Sequence, residues 1–144
     1  MNIIEPTTLV ELDKYYRLRY EILRKPWNQP ALTTKDEYED ISIHVLMLND
    51  KDEPIATGRL QLNNADQGQI RSMAVREDMQ GKGLGSAIIK YIEEKAKEKK
   101  LKEIVLDARE EAVPFYLKHS YQVYGDSYVL FNVIRHFRMK KEIA

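Results

Sequence analysis

The apolar residues Leu84, Ala87, Ile88, Tyr91, Ile92 and Ala96 recur at i, i+3, i+4, i+7, i+8 and i+12. That is the period of an amphipathic helix, predicted over Gly83 to Lys99 with one face buried against a sheet. Upstream the pattern changes to β-branched runs. "ISIHVLMLND" and "IATGRLQLNN" flank the turn "NDKDEP" and predict an antiparallel pair, and "GQIRSMAV" supplies a further strand. Downstream, "EIVLDA" reads as a buried strand and "EEAVPFYLKHS" as a short helix that tolerates Pro114 in its first turn. "YQVYGDSYVLFNVIRHFRMKK" gives one or two closing strands.

At the N-terminus, Asn2 to Glu5 reads as a short strand. Thr7 or Thr8 then caps a helix carrying Leu9, Leu12, Tyr15 or Tyr16, Arg19 and Leu23, which must stop before Pro26. The polar stretch "KPWNQPALTTKDEYED", residues 25–40, holds the only tryptophan and reads as a loop with a helical turn after Thr33 or Thr34. The order is therefore β-α-loop-β-β-β-α-β-α-β-β, a mixed α/β chain with antiparallel hairpins first and one βαβ crossover later.

Composition narrows the function classes. The 144 residues predict a single domain over 1–144 with one core. Lys plus Arg equals Asp plus Glu at 23 each, so no global field draws the chain to nucleic acid or to an anionic membrane. Any anion must be held locally. There is no cysteine, which removes disulfides, thiolate nucleophiles and Cys-based metal sites, and the three histidines are scattered without ligand spacing. The acidic N-terminus lacks the basic segment of a signal peptide, and no run approaches the ~18 apolar residues of a membrane span. A cytoplasmic protein is expected.

Gly81, Gly83 and Gly85 stand at alternate positions directly ahead of the amphipathic helix. Such a comb either points backbone N–H groups at an anion or turns a corner for close helix–sheet packing. The P-loop pattern is absent, because no Gly-Lys-Ser/Thr occurs. A Rossmann GxGxxG fits at Gly81 and Gly83 but meets Ser86 at its last position, and hairpins precede it. Gln80-Gly81-Lys82-Gly83-Leu84-Gly85 matches Q/R-x-x-G-x-G/A in full.

With that match the chain resembles the GNAT superfamily of acyl-CoA-dependent N-acyltransferases. A second segment of that family, N-x-x-A-x-x-F-Y-x-K-x-G-F, is met by Ala112, Phe115, Tyr116 and Lys118. Arg109 stands for the usual Asn, Tyr121 for Phe, and Ser120 for the Gly of an expected left-handed C-cap. The closing Ile134-Arg135-His136-Phe137-Arg138-Met139 resembles the I-P-H-x-x-M ending of a YjcF-like or ElaA-like branch, with Arg135 in place of proline.

The resemblance implies a mostly antiparallel central sheet with flanking helices, and transfer of an acetyl group from acetyl-CoA to an amine of a small molecule or peptide. It implies that backbone N–H groups of Gln80, Gly81, Lys82, Gly83, Leu84, Gly85 and Ser86 hold the coenzyme A pyrophosphate, with Lys82 adding charge at the rim. Backbone groups of Met73, Ala74 and Val75 would bind the pantetheine arm and polarise the thioester carbonyl. Tyr116 would protonate the departing thiolate, since a phenol of pKa ~10 and a thiol of ~8.5 are close enough for transfer. The alternative is that Phe115 and Tyr116 are both core aromatics of a short helix; adjacent positions point in different directions and only one can be fully buried, which favours the role.

His136 is the candidate base, with Asp107, Glu110, Glu111 and a water chain as alternatives between which the sequence does not choose. His44 reads as structural and His119 as a cap. Tyr15, Tyr16, Arg17, Arg19, Tyr20, Arg24 and Trp27 either line a site for an anionic or aromatic acceptor or form ordinary helix surface and core. No metal is expected, and a second copy of the chain is a possible partner. A non-catalytic acyl-CoA sensor and a Rossmann-type nucleotide binder are the competing readings.

Overall fold

Thr8 opens the first helix. Its hydroxyl accepts the Glu11 N–H while the Glu11 carboxylate accepts the Thr8 N–H, a capping box that fixes the start of α1, Leu9–Leu23. In the computed structural model, which describes residues 1–143, α1 follows a short strand β1, Asn2–Ile4, and ends ahead of Pro26 as expected. Residues 25–41 then run through three short 3-10 turns, Lys25–Trp27, Ala31–Thr34 and Glu39–Ile41. The predicted helical turn thus ends at Thr34 instead of starting there, because Thr33 closes it with both its N–H and its hydroxyl on the Pro30 carbonyl.

The remaining elements are β2 Ser42–Leu48, β3 Pro54–Leu62, β4 Gln67–Val75, α2 Leu84–Glu98, β5 Glu103–Arg109, α3 Val113–Lys118, β6 Gln122–Leu130 and β7 Ile134–Glu142. They build a seven-stranded sheet in the order β1-β2-β3-β4-β5-β7-β6. Only β4 and β5 pair in parallel, and α2 is their crossover.

The two faces differ in chemistry. Ile88, Ile89, Ile92 and Ala96 of α2 pack with Val45, Met47, Ala56, Leu60 and Ile70 into the main core. The fit at Gly58 is close, for a Cβ there would stand 2.4 Å from Ile88. On the opposite face α1 lays Tyr15 on Leu46 and Leu48, and alternate residues of β3 place buried Arg59 and Gln61 beneath the 25–41 segment. This second face is polar where the first is apolar.

Sheet pairing fails at one place, and that place forms the site. The β4–β5 ladder runs from Gln67↔Glu103 to Ile70↔Leu106 and stops. Beyond it β4 carries a bulge opposite Gly58, with Ser72 at φ +55° and its carbonyl held by the Thr57 hydroxyl at 2.9 Å. An extra residue bends a strand and raises its twist, so β4 follows β3 and parts from β5.

Candidate active site

The parted strands open onto a cavity of about 660 Å³, within the range of small-molecule sites. It is lined on one side by Ser72 to Val75 of β4, on another by Gln80, Gly81 and Gly83 to Ser86, and across from them by Leu106 to Arg109, Phe115, Tyr116 and His136. Segments remote in sequence meet because the sheet is split.

Along Met73, Ala74 and Val75 the edge facing β5 has no ladder partner, since pairing ends at Ile70. The Val75 carbonyl accepts instead from the Gln80 side chain at 3.2 Å, which folds the loop back onto the strand end. An extended ligand would find a strand edge here, the geometry of strand addition.

The glycine comb divides into two kinds of residue. Gly81 and Gly83 lie at φ +77° and +82°, where other residues are strained, and nothing stands within 4 Å of where their Cβ atoms would be. Gly83 is the N-cap of α2 and has no side chain to satisfy the first turn. Among the described residues the N–H groups of Gly81 to Ser86 have no partner, the first pairing being Ala87 N–H to the Gly83 carbonyl. Gly85 serves packing: its Cβ would meet the Phe115 ring at 3.2 Å. The packing reading holds at Gly85, and Gly81 and Gly83 are the positions left for the anion reading. Lys82 is exposed and does not line the cavity.

Of the two adjacent aromatics it is Tyr116, not Phe115, that is the more buried, at 7% exposure. Its ring meets Phe115 and Tyr121 in T-shaped contacts, the residue lines the cavity, and its hydroxyl has no side-chain or backbone hydrogen-bond partner among the described residues. Burial pushes its pKa well above the ordinary phenol value, with Arg109 pulling the other way. The group therefore stays protonated at neutral pH, and the shift widens its gap from a thiol beyond that expected for an ordinary phenol, making it a weaker acid than the sequence suggested.

His136 faces the same cavity from β7, paired across the strands with Arg109. Its ring stacks on Tyr128 at 4.3 Å and its Nδ1 bonds the Ile134 carbonyl at 3.0 Å, and burial lowers its pKa. It is neutral at pH 7. Asp107 lines the cavity with Ser127 Oγ at 2.6 Å from one oxygen and Gln69 at 3.3 Å from the other, and Glu111 lines it nearby. Glu110 lies outside, 3.5 Å from Arg135.

His44 is structural as expected. Its ring nitrogens are filled by the Tyr15 hydroxyl at 2.7 Å and the Glu39 carbonyl at 2.8 Å. His119 caps α3 by position, while its Nε2 bonds Ser86 Oγ at 2.8 Å and so ties α3 to the first turn of α2. Ser120 takes the left-handed conformation foreseen for that position, at φ +71°.

The sequence did not reveal the cluster above the polar face. Glu39 is gripped by Arg19 at 2.7 Å and by Arg59, and Arg59 also holds Asp36 at 2.7 Å. The polar residues Thr57, Arg59 and Gln61 at alternate positions of β3 were the available signal. Of the seven residues named for the acceptor, Tyr15 and Arg19 belong to this core and Arg17 pairs with Asp13 at the surface. Arg24 reaches the cavity.

A split sheet, an unpartnered N–H row at a helix start and a buried phenol line one cavity, and residues 12–121 match the Acetyltransferase (GNAT) family. The chain belongs to that family, whose members move an acetyl group from acetyl-CoA to an amine. It is 32% identical over 130 residues to the uncharacterized N-acetyltransferase YjcF of Bacillus subtilis (strain 168), covering 90% of this chain and 91% of the relative, which supports the branch suggested by the closing segment. Its fold matches an aminoglycoside 6'-N-acetyltransferase complexed with coenzyme A, with TM-score 0.83 and 16% identity over 100% of this chain and 98% of that one. It also matches Escherichia coli ElaA, with TM-score 0.80 and 18% identity over 98% of each. No helix among the described residues is long and apolar enough to cross a membrane.

Proposed function

We propose that this acetyltransferase works as a single domain in which the cavity between β4 and β5 binds acetyl-CoA and brings an amine to it from the α1 face. The observation that carries the reading is the run of unpartnered N–H groups from Gly81 to Ser86 beside two left-handed glycines with open space around them. A pyrophosphate there accepts several charge-assisted bonds and gains from the helix dipole, which alone contributes only ~0.3–1 kcal/mol. A Cβ at Gly81 or Gly83 would stand in the space the phosphates need.

Acetyl-CoA supplies the activated acyl carbon and a thiol leaving group. Met73 to Val75 hold the arm as a strand holds its neighbour. The amine nitrogen bonds the acyl carbon, the carbon–sulfur bond breaks, and the Tyr116 hydroxyl passes its proton to sulfur. His136, neutral and open to the cavity, takes the proton that the amine releases. The acceptor is the amine of a small molecule or peptide, bounded by α1, residues 25–41 and β6.

Coenzyme A is expected to raise the melting temperature while NAD and ATP do not. Thiol release from acetyl-CoA on an amine panel should fall roughly 100-fold or more in Tyr116→Phe, with coenzyme A binding retained. In His136→Gln the acid limb of the kcat/KM profile, set below the usual histidine value, should disappear. Failure of coenzyme A to stabilise the protein refutes the site. Binding without thiol release from any amine supports an acyl-CoA sensor instead.

We infer also that a second copy is the partner of β6. This outer strand carries exposed Val123, Tyr124 and Val129 beside Val133, and an uncovered edge of this kind invites pairing. Sedimentation equilibrium should give a dimer, and a monomer at all concentrations would remove the inference.

A further inference from the structure

Two arginines converge at the α1 end of the cavity. Arg24 lies at the end of α1 and Arg109 at the end of β5, and both donate to one acceptor, the Leu23 carbonyl, at 3.2 and 3.3 Å. Both line the cavity. Among the described residues the only other hydrogen bond of either guanidinium is from Arg24 Nε to the Thr33 carbonyl, and neither meets a carboxylate within 4.0 Å. The other arginines of this face are served differently: Arg19 and Arg59 by Glu39 and Asp36, and Arg71 by Asp36 at 3.9 Å.

Helix capping does not balance these charges. The carbonyl end of a helix is equivalent to about −0.5 charge, so two guanidiniums on one carbonyl leave more than one positive charge over. The acids nearby do not supply the difference. Asp36 is bound to Arg59, Asp107 keeps its charge under bonds from Ser127 and Gln69 but pairs with neither arginine within 4.0 Å, and Glu111, which pulls on Arg109, is exposed to screening solvent. Burial lowers the pKa of both arginines, and Arg109 acts in the same sense on Arg24. The pair also sits beside the proposed chemistry, for Arg109 is the cross-strand neighbour of His136 and its charge is felt at the Tyr116 hydroxyl.

We propose that Arg24 and Arg109 bind a carboxylate carried by one of the two reactants, either the amine acceptor or the acyl group of the donor. A guanidinium fork matches a carboxylate in plane and charge, and two forks over one cavity wall fix its orientation toward the transferring carbon. The inference rests on the acyl-transfer reading of the same cavity.

Two arms separate the sources. In the first, acetyl-CoA is offered with amino acids and with their amides; in the second, a neutral amine is offered with acetyl-CoA and with succinyl-CoA. The carboxylate member of the pair should be favoured roughly 10-fold or more in kcat/KM in one arm, the worth of a charge-assisted bond. That ratio should fall toward one in Arg24→Gln and in Arg109→Gln, and Arg24→Glu should turn it against the carboxylate. Coenzyme A-induced thermal shifts establish that each variant is folded and loaded, and Arg24→Gln, at a half-exposed helix end, serves if Arg109→Gln does not fold. Ratios near one in both arms, or a ratio that survives in folded variants, overturn the inference while leaving acyl transfer standing. Absence of thiol release from every acceptor overturns both.

Discussion

Glu39 shows how much one carboxylate can organise. Burial works against its charge, yet bonds from Arg19 and the Asp36 N–H and the nearby Arg59 hold its pKa at about 2. A carboxylate held below its unfolded value stabilises the protein above pH 4.5, and that contribution is lost as pH falls toward 2. Glu39→Gln leaves Arg19 buried without a counter-charge and Arg59 with Asp36 alone, so it should cost about 3–5 kcal/mol at pH 7 and make stability less steeply dependent on pH below 4.5. Urea unfolding across that range measures both. Equal stability of variant and parent at pH 7 would mean that the cluster does not hold residues 25–41 in place. Nothing in "DEYED" distinguishes Glu39 from its acidic neighbours. Its role is set by Arg59, 20 residues away in β3, and such a meeting exists only in the folded chain.

At the level of elements, the sequence was read best where a period or a cap governs. The strands, α1 with its Thr8 cap and α2 with its apolar stripe follow from patterning, and the match of Gln80 to Gly85 marked the loop whose N–H groups stand unpartnered at the start of α2. The parting of β4 from β5 was not legible, because the bulge at Ser72 has no turn residue to announce it. The comb shows the same limit, since three identical letters hide two different constraints. Gly85→Ala should weaken α2–α3 packing against Phe115, and Phe115→Leu in the same chain should restore most of the lost stability. Gly83→Ala, whose strain is backbone and costs ~1–2 kcal/mol, should gain nothing from that second change. Thermal melts of the parent, the three single variants and the two double variants decide it, and equal rescue of both glycine variants would contradict the division.

Over the whole molecule the sheet separates two tasks. Its α2 face is apolar and continuous from β2 to β5, and its α1 face is a polar floor from Arg59 and Gln61 through Gln69 to Asp107. The balanced charge of 23 against 23 concealed this, because a sum carries no position. Acids and bases cancel along the chain while the arginines gather on one face near the cavity. Family and fold were thus legible from local motifs, and the chemistry of the acceptor was not, since on the proposed reading its site is drawn from α1, residues 25–41, β5 and β6.

The bulge at Ser72 leaves the sheet one strand short along Met73 to Val75. On the proposed reading that missing strand is a diffusible metabolite, so part of the protein's architecture is borrowed from solution. Ligand at a hundred times its Kd would add about 2.7 kcal/mol to folding, a large share of a typical domain's stability. The cellular lifetime of this enzyme would then follow the supply of acyl donor, with starved molecules the first to be degraded.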